Sequence, residues 1–166
     1  MKESLAKIKE KSMKLMHLLF PSAMLMLLFA KWIYPRMFTY EFIRSADVFM
    51  IYSLLIIPRL IFPQTIVIGR KKTHITLIAA IIELAVNIPL SIYLAGYYGG
   101  KGLGTVGVAL ATLIVYMLEK FFLAGYVWIK MKIKPSEYIP LKIYAVYCIL
   151  ISILFILIDR EIINIQ

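Results

Sequence analysis

The chain has 166 residues, of which 62% are hydrophobic and 17% are charged, and its mean hydropathy is +0.86. Ordinary soluble domains are about 45–50% apolar and about 25% charged, so this composition excludes a typical soluble protein. The net charge is +10, but no basic run has aromatic partners on a soluble face, which argues against nucleic-acid binding. The single cysteine, Cys148, excludes an internal disulfide, and no spacing predicts a metal site or a cofactor.

Five apolar segments follow one another along the chain, each about long enough to cross a hydrocarbon core of ~30 Å as a helix. The sequence therefore predicts an all-α membrane protein with a five-helix membrane domain at about residues 15–158. Residues 1–14 are predicted as a basic cytoplasmic leader, either solvated or forming an interfacial helix. Residues 159–166 are predicted as a short extracytoplasmic tail. The five helices are predicted at about 15–34, 46–68, 75–94, 106–129 and 138–158.

The basic residues are distributed unevenly between the two ends of these helices. The N-terminal segment and the loops after the second and fourth helices hold 12 lysines and arginines, whereas the opposite ends hold 5. Cytoplasmic loops of membrane proteins carry the excess of basic residues. The distribution predicts a multi-pass protein with a cytoplasmic N-terminus and an external C-terminus.

Charged residues interrupt three of the apolar segments. Arg59 lies in the second predicted helix, Glu83 in the third, and the pair Glu119 and Lys120 in the fourth. Counted from the cytoplasmic helix ends, Arg59, Glu83 and Glu119 lie about 12–15 Å deep, at one level. Ionisable groups in lipid usually face a polar cavity or each other, and they often mark a transport path. An Arg59–Glu83 ion pair is geometrically available between these neighbouring helices.

Polar residues share a helix face with Glu83. Asn87 and Ser91 follow it at i+4 and i+8, and they are predicted either to line a substrate path or, in preference, to hold helices together. Glu119 and Lys120 are consecutive and point about 100° apart, so we expect them not to face one target. Lys120, with its long stem, is expected to snorkel toward the membrane surface.

Prolines flank the charged residue of the second predicted helix, and another proline lies in the third. Pro58 and Pro63 lie on either side of Arg59, and Pro89 follows Asn87. Each removes a helical hydrogen bond and favours a kink, so these three are candidate hinges. The alternative is that proline is simply frequent in membrane helices.

A glycine-rich segment, residues 102–107, matches the dinucleotide-binding fingerprint by letter. It follows a membrane helix instead of a strand, and Phe122 stands where an acidic residue is needed, so a turn is the better interpretation. Gly104, Gly107 and Ala111 then give the fourth helix a small face for close packing. No catalytic constellation is present in the sequence, and we expect the chain not to be an enzyme.

Several segments together resemble the C-terminal part of bacterial polysaccharide-export flippases, which belong to the multidrug/oligosaccharidyl-lipid/polysaccharide exporter superfamily. The similarity covers nearly the whole chain. Its strongest parts are the E-L-x-x-N-x-x-L-S helix and the glycine-rich turn with the A-T helix start that follows it. The segments are Arg44–Tyr52, Pro58–Gln64, Ile82–Ser91, Gly104–Thr112 and Glu119-Lys120.

The resemblance implies a helical bundle of two pseudo-symmetric lobes in the bacterial inner membrane, of which this chain would form part of the C-terminal lobe. Such proteins move a lipid-linked oligosaccharide, a polyprenyl diphosphate glycan, between leaflets by alternating access. Arg59, and less strongly Lys120, would attract the diphosphate, while Glu83 would hold Arg59 or respond to protonation. The implied partners are the glycan lipid, membrane lipid, and a missing N-terminal lobe or other envelope proteins.

The residues leave two other functions open. A chain that lacks the first lobe could be a non-transporting membrane interaction module. A small oligomeric multidrug exporter is a further alternative, in which Glu83 would be the membrane carboxylate.

Overall fold

The computed structural model describes residues 2–38, 43–99 and 102–160, which contain helices, turns and loops and no strand. The predicted all-α fold is therefore confirmed. The helices are α1 (Lys2–Met37), α2 (Ile43–Ser53), α3 (Ile56–Arg59), α4 (Pro63–Gly69), α5 (Thr73–Ala95), α6 (Thr105–Met131), α7 (Pro135–Tyr138) and α8 (Leu141–Asp159), with a short 3-10 turn at Tyr97–Gly99.

Four helices, α1, α5, α6 and α8, are each long and apolar enough to cross a membrane. A fifth crossing is available if the helices from Ser45 to Arg59 and α4, which meet at a bend of 46°, are taken as one broken span. The chain is thus a multi-pass membrane protein by helix length and composition, in agreement with the sequence.

The first helix is longer than predicted. Residues 2–14 are neither a solvated leader nor a separate interfacial helix, because they continue α1 without a break for 36 residues, or ~54 Å. Lysine and glutamate are good helix formers, and ion pairs four residues apart at Glu3–Lys7 and Glu10–Lys14 support the extension. Because a hydrocarbon core is only ~30 Å thick, the lysine-rich end of α1 extends beyond it.

The second predicted helix is divided, so the continuous helix expected at 46–68 is wrong. The break falls between α3 and α4, where Pro63 occupies the first position of α4 and the axis turns by 46°. Proline cannot donate a backbone hydrogen bond, and it is favoured at the first position of a helix. The sequence therefore ends one helix and begins another inside a single apolar segment.

The remaining boundaries lie within three residues of the predicted ones. α5 and α6 each extend the predicted helix by one or two residues at either end. The last span begins at Leu141 instead of residue 138, because Pro140 precedes it and residues 135–138 form the separate turn α7. The predicted tail beyond Arg160 lies outside the described residues.

The bundle is built from two packed groups of helices. α1 packs against α2 and α8, and the ring of Phe20 stacks on that of Tyr147 with centroids 4.9 Å apart. α5 and α6 form an antiparallel hairpin, and α6 also contacts α2 and α4. Within residues 73–95 only Ala79 is buried, so α5 leaves most of its surface uncovered by the described chain.

Candidate functional site

The second span is the broken one formed by residues 45–59 and α4. Its break leaves backbone carbonyls without the N–H partners that a regular helix would provide. The Ile61 N–H donates to the Pro58 carbonyl, and the Ile57 carbonyl instead accepts a hydrogen bond from the Tyr144 hydroxyl of α8 at 3.0 Å. Such groups must find partners in a membrane interior, because no water is available there. Tyr144 therefore stabilises the broken helix from a neighbouring span.

A second carbonyl at the break is satisfied from the opposite side. The buried Ser12 hydroxyl of α1 donates to the Leu60 carbonyl at 3.1 Å. The break is thus held between α1 and α8 by two side chains, as broken helices in membranes require.

Arg59, the last residue of α3, is exposed beside this break. Its guanidinium carbon lies 5.9 Å from the ring centroid of Tyr116, and it makes no ion pair with Glu83 among the described residues. The expected Arg59–Glu83 pair is therefore wrong. Arg59 instead lines a groove of about 450 Å³ between α1 and the second span, whose other walls are mostly apolar: Leu15, Leu19, Ala23, Met26, Tyr52, Ile56 and Phe62.

Lys120 is buried and joins α6 to the broken span. Its side chain is 4% exposed, and Nζ donates to Gln64 Oε1 in the first turn of α4 at 3.0 Å. Nζ also lies 2.7 Å from Glu119 Oε2 and 4.5 Å from the Tyr116 ring centroid. The expectation that Lys120 snorkels is therefore wrong, since its stem folds back over the preceding residue.

The ion pair on α6 has an incompletely satisfied carboxylate. The Glu119 side chain is 8% exposed, and although Lys120 lies beside it, Oε2 accepts no aligned hydrogen bond from the described residues. Glu119 and the half-buried Glu83 both line a cavity of about 160 Å³ between α5 and α6. Two carboxylates from different helices therefore face one cavity whose other walls are apolar: Ala79, Ile82, Val86, Val115, Leu118 and Phe122.

The charged residues that were predicted to lie at one depth are found in one region of the bundle. Arg59 and Lys120 both approach the Tyr116 ring, and Glu83 and Glu119 share one cavity. Arg59 is the exposed cation of this group, whereas Lys120 is buried against a carboxylate. An anion that enters the bundle can therefore reach Arg59 more readily than Lys120.

Gln64 belongs to this group of polar side chains, and the sequence interpretation missed it as a site residue. It is an amide inside an apolar segment directly after Pro63, which is the signal that could have identified it.

Asn87 does not join the charged group. The Ser91 hydroxyl donates to Asn87 Oδ1 at 2.8 Å on the same helix. Within the described chain this contact lies inside α5, and the predicted role of the pair as polar contacts between helices stays a prediction.

The three candidate hinge prolines occupy different surroundings. Pro58 and Pro63 are buried on either side of the bend in the second span. Pro89 lies inside α5, which continues through it to Ala95. The bend that a hinge requires is therefore present at the first two prolines.

The connection between α5 and α6 contains several turn glycines, and the start of α6 contains one packing glycine. A Cβ on Gly107 would overlap the Leu94 carbonyl, so glycine permits the close approach of α5 and α6, and Ala111 is fully buried one turn later. Gly104 has a φ of 59° and open space around it, so its predicted packing role is wrong and it serves the turn. Gly96, which the sequence interpretation missed, has a φ of 96°, and a Cβ there would overlap the Gly102 backbone.

No protein-family model matches the chain, and no curated protein and no solved structure shows a significant match to it. The resemblance to polysaccharide exporters therefore remains a hypothesis that depends on the quoted segments. No group of three metal-ligating side chains occurs in the part of the chain that the structure describes.

Proposed function

We propose that this chain forms part of the C-terminal lobe of a flippase that exports a lipid-linked oligosaccharide across the bacterial inner membrane. The observation that supports the proposal most directly is the exposed Arg59 at the break of the second span, beside an apolar groove. An arginine at membrane depth is costly unless it faces water, a partner or a ligand. Its exposure beside a groove favours a ligand path over a structural role.

The groove matches the chemistry of a polyprenyl diphosphate. Guanidinium binds phosphate oxygens in a bidentate manner and stays charged in a low-dielectric environment. Apolar side chains of α1, including Leu15, Leu19 and Met26, line the same groove and can pack against a polyprenyl chain. Lys120 has a weaker claim on the diphosphate, because Glu119 already neutralises it.

The bend supplies a candidate moving part for alternating access. The α3 side of the bend is held to α8 through Tyr144, whereas the α4 side is held to α6 through Gln64 and Lys120. A relative movement of α6 and α8 would therefore change the bend and with it the position of Arg59. Broken helices beside polar groups are common where transporters open and close.

The exposed α5 supports the proposal of a second lobe. Of residues 73–95 only Ala79 is buried, which leaves a long apolar surface for another part of the transporter. The same surface also fits a non-transporting module that assembles with other envelope proteins. Export measurements separate these two functions.

The test replaces Arg59 in the full-length protein that contains this chain, in cells whose native copy is deleted. We expect Arg59→Ala to lower surface-glycan export about 10-fold or more, since a charge-assisted hydrogen bond contributes about 1.5–3 kcal/mol. Arg59→Lys should retain part of the export, because it keeps the charge but loses the bidentate geometry.

The matched control is Arg36→Ala, which removes an arginine that lies over the Trp32 ring, far along α1 from the Arg59 groove. Membrane abundance of each variant is measured by immunoblotting. Normal export with Arg59→Ala would remove Arg59 from the mechanism. Normal glycan export in the deletion strain itself would instead favour the interaction module.

A further inference from the structure

The cavity of about 160 Å³ that Glu83 and Glu119 line, called here the acidic cavity, lies between α5 and α6 on a largely uncovered side of the bundle. Four of its walls are apolar side chains that are 40–54% exposed: Ile82, Val86, Leu118 and Phe122. Two of these side chains come from each helix. The carboxylates of the acidic cavity are therefore set among exposed apolar side chains, as a polar centre within an apolar surface.

The charges around the acidic cavity do not balance within the described chain. Lys120 is already held by two partners, because its Nζ lies 2.7 Å from Glu119 Oε2 and donates to Gln64 Oε1 at 3.0 Å. Glu83 forms no hydrogen bond and no ion pair with the rest of the described chain. Arg59 lines the other groove, against α1. Two carboxylates and one ammonium therefore leave one negative charge without a partner cation.

Both carboxylates lie near the middle of their helices. Glu83 is ten residues from the start of α5 and twelve from its end, and Glu119 is fourteen and twelve residues from the two ends of α6. At ~1.5 Å per residue, Glu83 is about 15–18 Å from either end of its helix. Ionisable groups at this depth in lipid are costly and normally face a partner charge. A partner for Glu83 must therefore bring its cation to the centre of the membrane.

We propose that this face of the α5–α6 hairpin binds a membrane-spanning helix that carries one lysine or arginine near its middle. The basic side chain would enter the acidic cavity and pair with Glu83, while apolar residues around it would pack on Ile82 and Phe122. Charge complementarity assigns this occupant, because an entirely apolar helix would leave Glu83 unpaired in lipid. The partner helix can belong to a second lobe or to another envelope protein, so the proposal does not depend on the exported substrate.

Energy transfer between the purified chain and synthetic spanning peptides in phosphatidylcholine vesicles provides the test. The donor is attached at Leu103→Cys, in a chain whose native thiol is removed by Cys148→Ala, and the acceptor is attached to the peptide. The probes are leucine–alanine peptides that carry lysine at the centre, leucine at the centre, or lysine near one end. We expect the central-lysine peptide to associate about tenfold or more tightly than the other two, because pairing relieves two isolated charges in lipid.

Three variants of the chain separate the acidic cavity from general charge and apolar contact. Glu83→Gln keeps the size of the side chain and removes its charge, and it should abolish most of the preference for the central lysine. Val86→Trp keeps every charge and fills the mouth of the cavity from a half-exposed wall, so it should weaken association of the central-lysine peptide. Glu137→Gln removes a carboxylate from α7, outside the cavity, and should change nothing.

Equal association of the central-lysine and central-leucine peptides would overturn the proposal, and it is the result expected if Glu83 holds a proton and is neutral. So would equally tight association of the end-lysine peptide, an unchanged preference in Glu83→Gln, unchanged association in Val86→Trp, or an equal loss in Glu137→Gln. Energy transfer between two labelled copies of the chain that Glu83→Gln abolishes would assign the face to self-association instead. Circular dichroism of each variant before peptide addition establishes that it is folded.

Discussion

Two tyrosines, the buried Tyr138 and the half-buried Tyr144, differ in what their hydroxyl groups contact. Tyr144 donates to the Ile57 carbonyl that the broken helix leaves unsatisfied. The Tyr138 side chain is 1% exposed, and its hydroxyl has no hydrogen-bond partner among the described residues. The same chemical group therefore stabilises the fold at one position and is an unsatisfied polar group at the other.

This contrast predicts opposite effects of the same substitution. Tyr144→Phe should lower the free energy of unfolding by about 1–3 kcal/mol, because it leaves a buried carbonyl without a donor. Tyr138→Phe should be neutral or stabilising, since it removes a buried hydroxyl that contributes no hydrogen bond. Unfolding midpoints in detergent micelles measure both effects, and Tyr138→Phe is the control for loss of a hydroxyl. A larger loss in Tyr138→Phe than in Tyr144→Phe would contradict this assignment.

Residue depth was predictable from the sequence, but the pairing of side chains was not. Counting along each helix brought Arg59, Glu83 and Glu119 to one region, because helical rise is nearly constant. The partner of each charge depends on helix rotation and on side-chain reach, which the sequence does not specify. Lys120 consequently pairs with its own neighbour, and Arg59 approaches an aromatic ring instead of Glu83.

At the scale of helices, the length of an apolar segment predicts a span well when no proline divides it. The two helices of the α5–α6 hairpin extend only one or two residues beyond their predicted bounds. The prolines of the broken span were predicted as hinges, but the division into two helices was not predicted. Proline can either kink a helix or end it, and the sequence alone does not distinguish the two. Pro89 shows the other outcome, because α5 continues through it.

The hairpin of α5 and α6 depends on a close approach that one glycine permits. A Cβ on Gly107 would overlap the Leu94 carbonyl and contact the Ala95 nitrogen, so the two helices would have to separate. We expect Gly107→Ala to lower the free energy of unfolding by about 1–3 kcal/mol, as overpacked positions do. The measurement is again the unfolding midpoint in detergent.

Gly125→Ala is the matched control in the same helix. No atom lies within 4 Å of a Cβ there, so alanine should be tolerated or should stabilise the helix by up to about 1 kcal/mol. Equal destabilisation by the two substitutions would show that Gly107 is not a packing position.

For the whole molecule, the bundle leaves α5 uncovered while the broken span is enclosed by α1, α6 and α8. Three polar groups at the break, the Ile57 and Leu60 carbonyls and the Gln64 side chain, have hydrogen-bond partners in α8, α1 and α6. α5, in contrast, packs mainly against α6, with a smaller contact to α4, and of residues 73–95 only Ala79 is buried. We therefore expect any partner to dock on α5 and to leave the Arg59 groove as a separate surface.

The basic residues predict the direction in which the bundle crosses the membrane. The extended end of α1 and the exposed Arg70, Lys71, Lys72 and Lys132 mark one end of the bundle as strongly basic, and basic loops remain in the cytoplasm. This predicts that the turns at Lys71 and Lys134 are cytoplasmic, whereas the turn before α6 is external.

Cysteine labelling in intact cells tests this topology. Single cysteines are introduced as Lys71→Cys, Leu103→Cys and Lys134→Cys, in a background where Cys148→Ala removes the native thiol. We expect a membrane-impermeant maleimide to label only Leu103→Cys in intact cells, and all three after permeabilisation, which is the control for accessibility. Labelling of the other two positions with Leu103→Cys shielded would reverse the orientation.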